Sequence, residues 1–139
     1  MAQKYRILII DDSEPTLAGL KAYLSEKYHI LTASNGQDGI HQFEKNEKRI
    51  HIVLTDLILP DFACYNLVSL IKDRTPAKPV IAMTGWEYHR EELGSLTKAD
   101  LILRKPFEME ELEQALEKLL SAIHTNKGRS RATPRKSKQ

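Results

Sequence analysis

The sequence predicts a doubly wound α/β sandwich in which a five-stranded parallel sheet is flanked by five helices. Three observations carry this. Five short apolar runs recur along the chain, several of them near-continuous rather than alternating, which suits strands buried on both faces. The segments between them space their leucines at helical intervals. The resulting order, strand then helix repeated five times, is that of a sheet wound with right-handed crossovers.

In chain order the first run is 5–10. Ser13 then offers a helix cap, and Pro15 suits the first helical turn. Leu17, Leu20 and Leu24 make the stripe of the first helix. The second run is 29–33. Gly36 marks the turn that follows, and Gly39 just inside the second helix costs about 1 kcal/mol relative to alanine. The third run is 50–55, followed by a stripe of Leu67, Leu70 and Ile71. The fourth is 79–84, a fourth helix follows it, and the fifth run is 100–103. Leu112, Leu116, Leu119, Leu120 and Ile123 then form a long stripe on the last helix.

The 139 residues, 41% of them hydrophobic, fit one domain with one core. Cys64 is the sole cysteine, which excludes an internal disulfide or a cysteine-based zinc site, and it is expected to be a small buried residue. No apolar run approaches the ~20 residues of a membrane helix, and residues 1–6 lack the apolar stretch of a signal peptide. A soluble cytoplasmic protein is the expectation. The net charge of +2 conceals a split. Residues 1–123 hold all 19 acids and 15 lysines and arginines, a net of −4, whereas residues 124–139 hold six basic residues and no acid. The folded domain is therefore expected over 1–123, and 124–139 as a basic tail too polar to offset its ordering entropy.

In a doubly wound sheet chemistry gathers at the carboxyl ends of the strands. The first run ends in Asp11-Asp12, the third in Asp56, the fourth in Thr84 and the fifth in Lys105-Pro106. Singly, each has an ordinary reading: Asp11-Asp12 as caps, Thr84 bonded to backbone, Lys105 on the surface. Together they put three carboxylates on one edge, where they repel one another unless a cation intervenes. Mg²⁺ suits such a set, because it takes oxygen ligands and binds one or two carboxylates together with a phosphate. Lys105 and Thr84 add a point charge and a hydroxyl fitted to phosphate oxygens.

With these residues in place, the sequence resembles the receiver domain of two-component response regulators, from about residue 4 to 123. The matching pieces are Ile-Leu-Ile-Ile-Asp-Asp-Ser at 7–13, Val-Leu-Thr-Asp-Leu-Ile-Leu-Pro at 53–60, Val-Ile-Ala-Met-Thr-Gly at 80–85 and Lys-Pro-Phe at 105–107. The resemblance implies a flavodoxin-like sheet of order 2-1-3-4-5. It implies that Asp56 is the nucleophile that becomes an acyl phosphate, and that Asp12, Asp56 and the Ile58 carbonyl bind Mg²⁺ while Asp11 acts largely through water. It implies that Thr84 and Lys105 contact the phosphoryl oxygens and that the Lys105-Pro106 bond is cis. The implied phosphodonor is a phosphohistidine on a sensor histidine kinase or a histidine phosphotransfer protein. The implied output is a protein partner, or a second copy on phosphorylation, at the face of the fourth helix, fifth strand and fifth helix. Such a module catalyses only its own phosphorylation and dephosphorylation.

Two positions depart from the family. Cys64 stands where glycine is common, and Ile102 where an aromatic switch residue is usual. A β-branched isoleucine cannot repeat the aromatic swing, so switching is expected to rely on Thr84 and the loop after it, where Trp86 and Tyr88 lie. Two other readings were open: a phosphorylation-independent interaction module with this fold, and a nucleic-acid-associated regulator acting through the tail. The intact acidic edge disfavours the first. The second would need a folded DNA-binding domain, which is not expected in a tail of ~16 residues, and nucleic acid is not an expected partner. A phosphatase of the haloacid-dehalogenase type would need Asp-x-Asp after the first strand, but the second residue after Asp11 is Ser13. The five histidines show no metal-ligand spacing.

Overall fold

The structure is a computed structural model that describes residues 4–61, 66–85 and 98–129. The elements are β1 (Arg6–Ile10), α1 (Glu14–Leu24), β2 (His29–Ala33), α2 (Gly36–Asn46), β3 (Ile52–Asp56), α3 (Asn66–Arg74), β4 (Val80–Thr84), β5 (Leu101–Arg104) and α4 (Met109–Arg129). The strands form one parallel sheet in the order β2-β1-β3-β4-β5. All five expected strands are present, shifted by at most two residues. Four of the five expected helices are described. The other, expected between β4 and β5, falls on 86–97, outside the described residues, as do Cys64, Trp86 and Tyr88.

The chain divides into two compact units, Met1–Phe107 and Glu108–Gln139. In the first, strand alternation sorts the side chains into two layers. Leu8, Ile10, Val53, Val80 and Ala82 turn to one face and join Phe43 of α2 and Leu67, Val68 and Ile71 of α3 in a single core. The intervening Ile7, Ile9, Ile52, Leu54, Ile81 and Met83 are equally buried on the other face. The buried leucines of α1, Leu17, Leu20 and Leu24, lie outside the first core. Buried residues on both faces explain why the strand sequences run almost unbroken in apolar residues. The second unit is α4, whose buried residues Leu112, Ala115, Leu116 and Leu120 fall on one stripe. It continues through residues 124–129, which the sequence assigned to the basic tail; no proline interrupts the chain before Pro134. Residues 130–139 lie outside the described residues.

Local signals explain the helix starts. Ser13 caps α1, its hydroxyl accepting the Thr16 N–H, and a proline occupies the first turn. The cap of α2 is Asn35, which accepts the Asp38 N–H at 2.7 Å. The α3 stripe needs one correction. Leu70 is 48% exposed, and Val68 takes its place beside Leu67 and Ile71. On a 100° helical wheel, 67, 71 and 68 share one arc, and 70 falls beyond its edge.

Gly39 also finds its reason. A Cβ there would lie 2.5 Å from Ile10 Cδ1, 3.0 Å from Cγ1 and 3.3 Å from Cγ2, so α2 presses directly onto β1. Alanine would recover about 1 kcal/mol of helix propensity. It would also overpack a fully buried isoleucine, at a cost of about 1–3 kcal/mol. Gly39→Ala is expected to be destabilising by about 1 kcal/mol net in urea denaturation. A gain in stability would mean that Ile10 yields freely.

Candidate phosphoryl-transfer site

β1 and β3 are neighbours, but their connections lead to opposite sides of the sheet, β1 to β2 and β3 to β4. The crevice at that reversal is where ligands bind in open α/β sheets. Asp11 and Asp12 follow the last residue of β1, Asp56 ends β3, Thr84 ends β4, and Lys105 follows β5. Parallel register brings these ends together on one edge.

Asp11, Asp12 and Asp56 each place a carboxylate oxygen within 4.8 Å of the others. Asp11 is fully buried. Its Oδ1 accepts the Ser13 N–H at 2.9 Å, and its Oδ2 accepts Lys105 Nζ at 2.7 Å. Asp56 is arranged in parallel: Oδ1 accepts the Ile58 N–H at 3.2 Å, and Oδ2 accepts the same Nζ at 3.0 Å. One ammonium thus bridges two carboxylates. It is held there by the Lys105 N–H, which donates to the Thr84 carbonyl at 2.6 Å. The peptide bond that follows, Lys105-Pro106, is cis.

The electrostatics follow from that sharing. Burial pushes the Asp56 carboxyl above the ordinary carboxylate range, and the hydrogen bond and charge of Lys105 pull it back only in part, with Asp11 adding repulsion. For Lys105 burial acts downward, but its hydrogen bonds to Asp11 and Asp56 outweigh it, and the ammonium ends above its usual value. The two directions agree physically. A cation between two anions is over-supplied with partners, and each anion is under-supplied.

Thr84 is buried to 1% exposure, and its Oγ1 has no hydrogen-bond partner among the described residues. A buried hydroxyl without a partner carries a desolvation penalty of about 1–3 kcal/mol. Ile102 pairs with Ala82 across β4 and β5 and packs half-buried against the core beneath α2 and α3. The site therefore unites Asp11, Asp12, Asp56 and Lys105 and sets Thr84 on the same edge. Ile58, two residues after Asp56, is 42% exposed.

Sequence reasoning missed Asp61. Its two carboxylate oxygens accept the Gly36 and Gln37 N–H groups, each at 2.8 Å, so it ties the loop after β3 to the start of α2. Burial acts to raise its pKa, but those two N–H groups prevail and hold the carboxyl below its usual range. The only signal in the sequence is an aspartate after Pro60, which reads as an ordinary turn.

The opposite edge of the sheet also gathers charge, but for packing. Lys78 Nζ donates to the carbonyls of Glu47 and Ile50, Thr75 donates to Glu47, and Arg74 pairs with Glu44 and Glu47. These groups satisfy one another and join the ends of α2 and α3.

Comparison with known proteins agrees with the geometry. The response regulator receiver domain family matches residues 7–117, most of the chain. The chain belongs to that family. Among curated relatives, this receiver is 30% identical over 121 residues to the probable transcriptional regulatory protein TcrX of Mycobacterium tuberculosis, covering 85% of the chain but 50% of TcrX. It thus spans about half of that relative. A response regulator receiver domain protein from Clostridium thermocellum superposes with a TM-score of 0.81 at 29% identity, over 87% of this chain and 98% of that one. The response regulator TrrA of Thermotoga maritima, solved in complex with Mg²⁺ and a beryllium fluoride, superposes with a TM-score of 0.74 at 28% identity, over 83% and 98%. No described helix is long and apolar enough to cross a membrane.

Proposed function

We propose that this receiver takes a phosphoryl group onto Asp56, in a Mg²⁺-dependent reaction, from a phosphohistidine on a sensor histidine kinase or a histidine phosphotransfer protein, and that the product changes partner binding. The observation that carries the reading is the single Lys105 ammonium shared by Asp11 and Asp56 beside an acidic, all-oxygen donor set.

That set fits Mg²⁺, which prefers hard oxygen ligands and keeps several waters. Asp12, Asp56 and the Ile58 carbonyl would hold it, with Asp11 acting through water. When bound, the cation neutralises phosphoryl oxygens and part of the charge on the carboxylates. The protein's own groups do the rest. Asp56 supplies the carboxylate oxygen that attacks phosphorus. The P–N bond to the donor histidine breaks, its electron pair stays on the imidazole nitrogen, and Asp56 becomes a mixed anhydride. Lys105 turns from the Asp56 carboxylate to a phosphoryl oxygen, and the unpaired Thr84 hydroxyl donates to another. Ile102 packs as a core residue and has no phenol to expose, so the switch would pass through Thr84 and the loop beginning at Gly85 rather than through an aromatic swing. The Mg²⁺–beryllium fluoride complex of the Thermotoga relative supports both the cation and the phosphoryl pocket. Acetyl phosphate with Mg²⁺ is expected to add one phosphoryl mass to the protein, and chelation of the metal to prevent it. An unmodified protein under these conditions overturns the proposal in favour of a phosphorylation-independent module.

Lifetime follows from the residues two positions after Asp56 and Thr84 in the chain. Neither Ile58 nor Trp86 offers an acceptor to orient a hydrolytic water. The acyl phosphate is expected to decay more slowly in the parent than in the double variant Ile58→Asn/Trp86→Glu, by about tenfold or more if a positioned acceptor contributes as a weak general base would. Phosphate release after removal of donor measures it, and equal or faster decay in the parent refutes it.

A further inference from the structure

The loop after the phosphoacceptor is pinned at three places. The Leu57 N–H donates to the Met83 carbonyl at 3.0 Å, continuing the β3–β4 ladder by one residue. Leu57 and Leu59 are buried in the core beneath α2 and α3, leaving Ile58 between them facing outward. At the far end, Asp61 grips two successive N–H groups of α2, 24 and 25 residues earlier in the chain.

That last contact serves both of its ends. α2 already has its own cap: Asn35 accepts the Asp38 N–H, and the Asn35 carbonyl accepts the Gly39 N–H at 3.0 Å. The Asp38 carboxylate already offsets the positive end of the helix. Asp61 takes the Gly36 and Gln37 N–H groups, the two helix-start donors that Asn35 leaves, so the same contact that completes α2 also fixes the loop from which Asp61 comes. For the loop, this contact is an anchor five residues past Asp56, beyond the buried Leu57 and Leu59. Groups that hold metal-binding backbone in place matter nearly as much as the ligands they support.

We propose that Asp61 is a positioning residue for the cation, clamping the 57–61 loop to α2 so that Asp56 and the Ile58 carbonyl are preset for Mg²⁺. This rests on the Mg²⁺-dependent reading above. The loop would otherwise lose conformational freedom only when the cation binds, and that ordering entropy would be subtracted from affinity.

The test is calorimetric titration of the full chain with MgCl₂ alone, without phosphodonor. Asp61→Ala is expected to weaken Mg²⁺ binding about tenfold. Asp61→Asn, which retains one acceptor oxygen for α2, is expected to fall between it and the parent and guards against misfolding of the alanine variant. Asn35→Ala provides the control, since it removes a cap from the same helix without touching the loop. It should lower the melting temperature and leave the Mg²⁺ affinity within about twofold of the parent, because a cap contributes to the helix alone. The proposal is overturned if Asp61→Ala and Asp61→Asn bind Mg²⁺ like the parent, or if Asn35→Ala loses as much affinity as Asp61→Ala. A parent that takes up no Mg²⁺ would instead overturn the functional reading on which the proposal stands.

Discussion

Asp56→Asn is expected to abolish phosphorylation by acetyl phosphate while leaving a protein that folds at least as well as the parent. The first half follows from chemistry: an amide oxygen is too weak a nucleophile to replace the carboxylate. The second follows from the energetics of the site. In the metal-free protein, burial holds the Asp56 pKa above its unfolded value. A carboxyl with a raised folded pKa carries no penalty below its unfolded pKa of about 3.9, and the penalty grows as pH rises through that value and is complete above the folded pKa. At neutral pH the ionised Asp56 therefore works against folding, and a neutral isostere removes that cost while leaving Lys105 paired one-to-one with Asp11. Without Mg²⁺, Asp56→Asn is expected to melt at a higher temperature than the parent, with the difference closing toward pH 3–4 where both side chains are neutral. Intact-mass spectrometry and thermal melts on the same samples check both halves. Phosphorylation that persists in Asp56→Asn would move the acceptor elsewhere. A variant that neither folds nor reacts would leave Asp56 a structural anion rather than a poised one.

What the sequence made legible, and what it did not, divides along the range of the interactions. The five strands could be read because burial on both faces leaves a nearly unbroken apolar run such as Val53-Leu54 or Val80-Ile81-Ala82-Met83, and the short length of each run with its β-branched residues favours strand over buried helix. The site could be read because parallel winding sends every carboxyl end to one edge, so Asp11, Asp12, Asp56, Thr84 and Lys105 are brought together by topology alone. The bridging of Asp11 and Asp56 by one ammonium was not legible, since it depends on where a flexible lysine settles. Asp61 and Asn35 were missed for related reasons: one acts across 25 residues of chain, and the other is a single polar residue beside the more conspicuous Gly36. Val68 and Leu70 exchanged places because helical spacing fixes an arc, not its edges. The boundary expected at 123 followed the last apolar residue of the stripe, Ile123, whereas the backbone of the last helix runs on to Arg129 without one.

Lys105→Met is expected to have the opposite signature to Asp56→Asn, losing stability and reactivity together. Methionine keeps most of the volume of the lysine stem and discards the charge. Asp11, with no exposure at all, and Asp56, 12% exposed, would then face each other with Asp12 nearby and no cation between them. Removing one member of a fully enclosed pair costs about 3–5 kcal/mol, and because Lys105 is 30% exposed a loss of about 2 kcal/mol is expected here. In the parent this contribution is constant across neutral pH. The Lys105 pKa is raised, so its stabilisation is fully present below about 10.4 and fades only as pH climbs through the folded value. In the variant, stability should instead improve as pH falls and the carboxylates protonate. Added Mg²⁺ should restore part of it, since a divalent cation supplies the missing charge to the same oxygens. It should not restore the reaction. Lys105 is also the group that meets the phosphoryl oxygen as charge develops there, and loss of one such donor lowers rates by about 10²–10³-fold. Urea denaturation with and without Mg²⁺, set beside the rate of acetyl phosphate incorporation, separates the two effects. If Mg²⁺ returned Lys105→Met to the parent's phosphorylation rate, Lys105 would be only a placeholder for the cation, and the acidic edge would account for the chemistry alone.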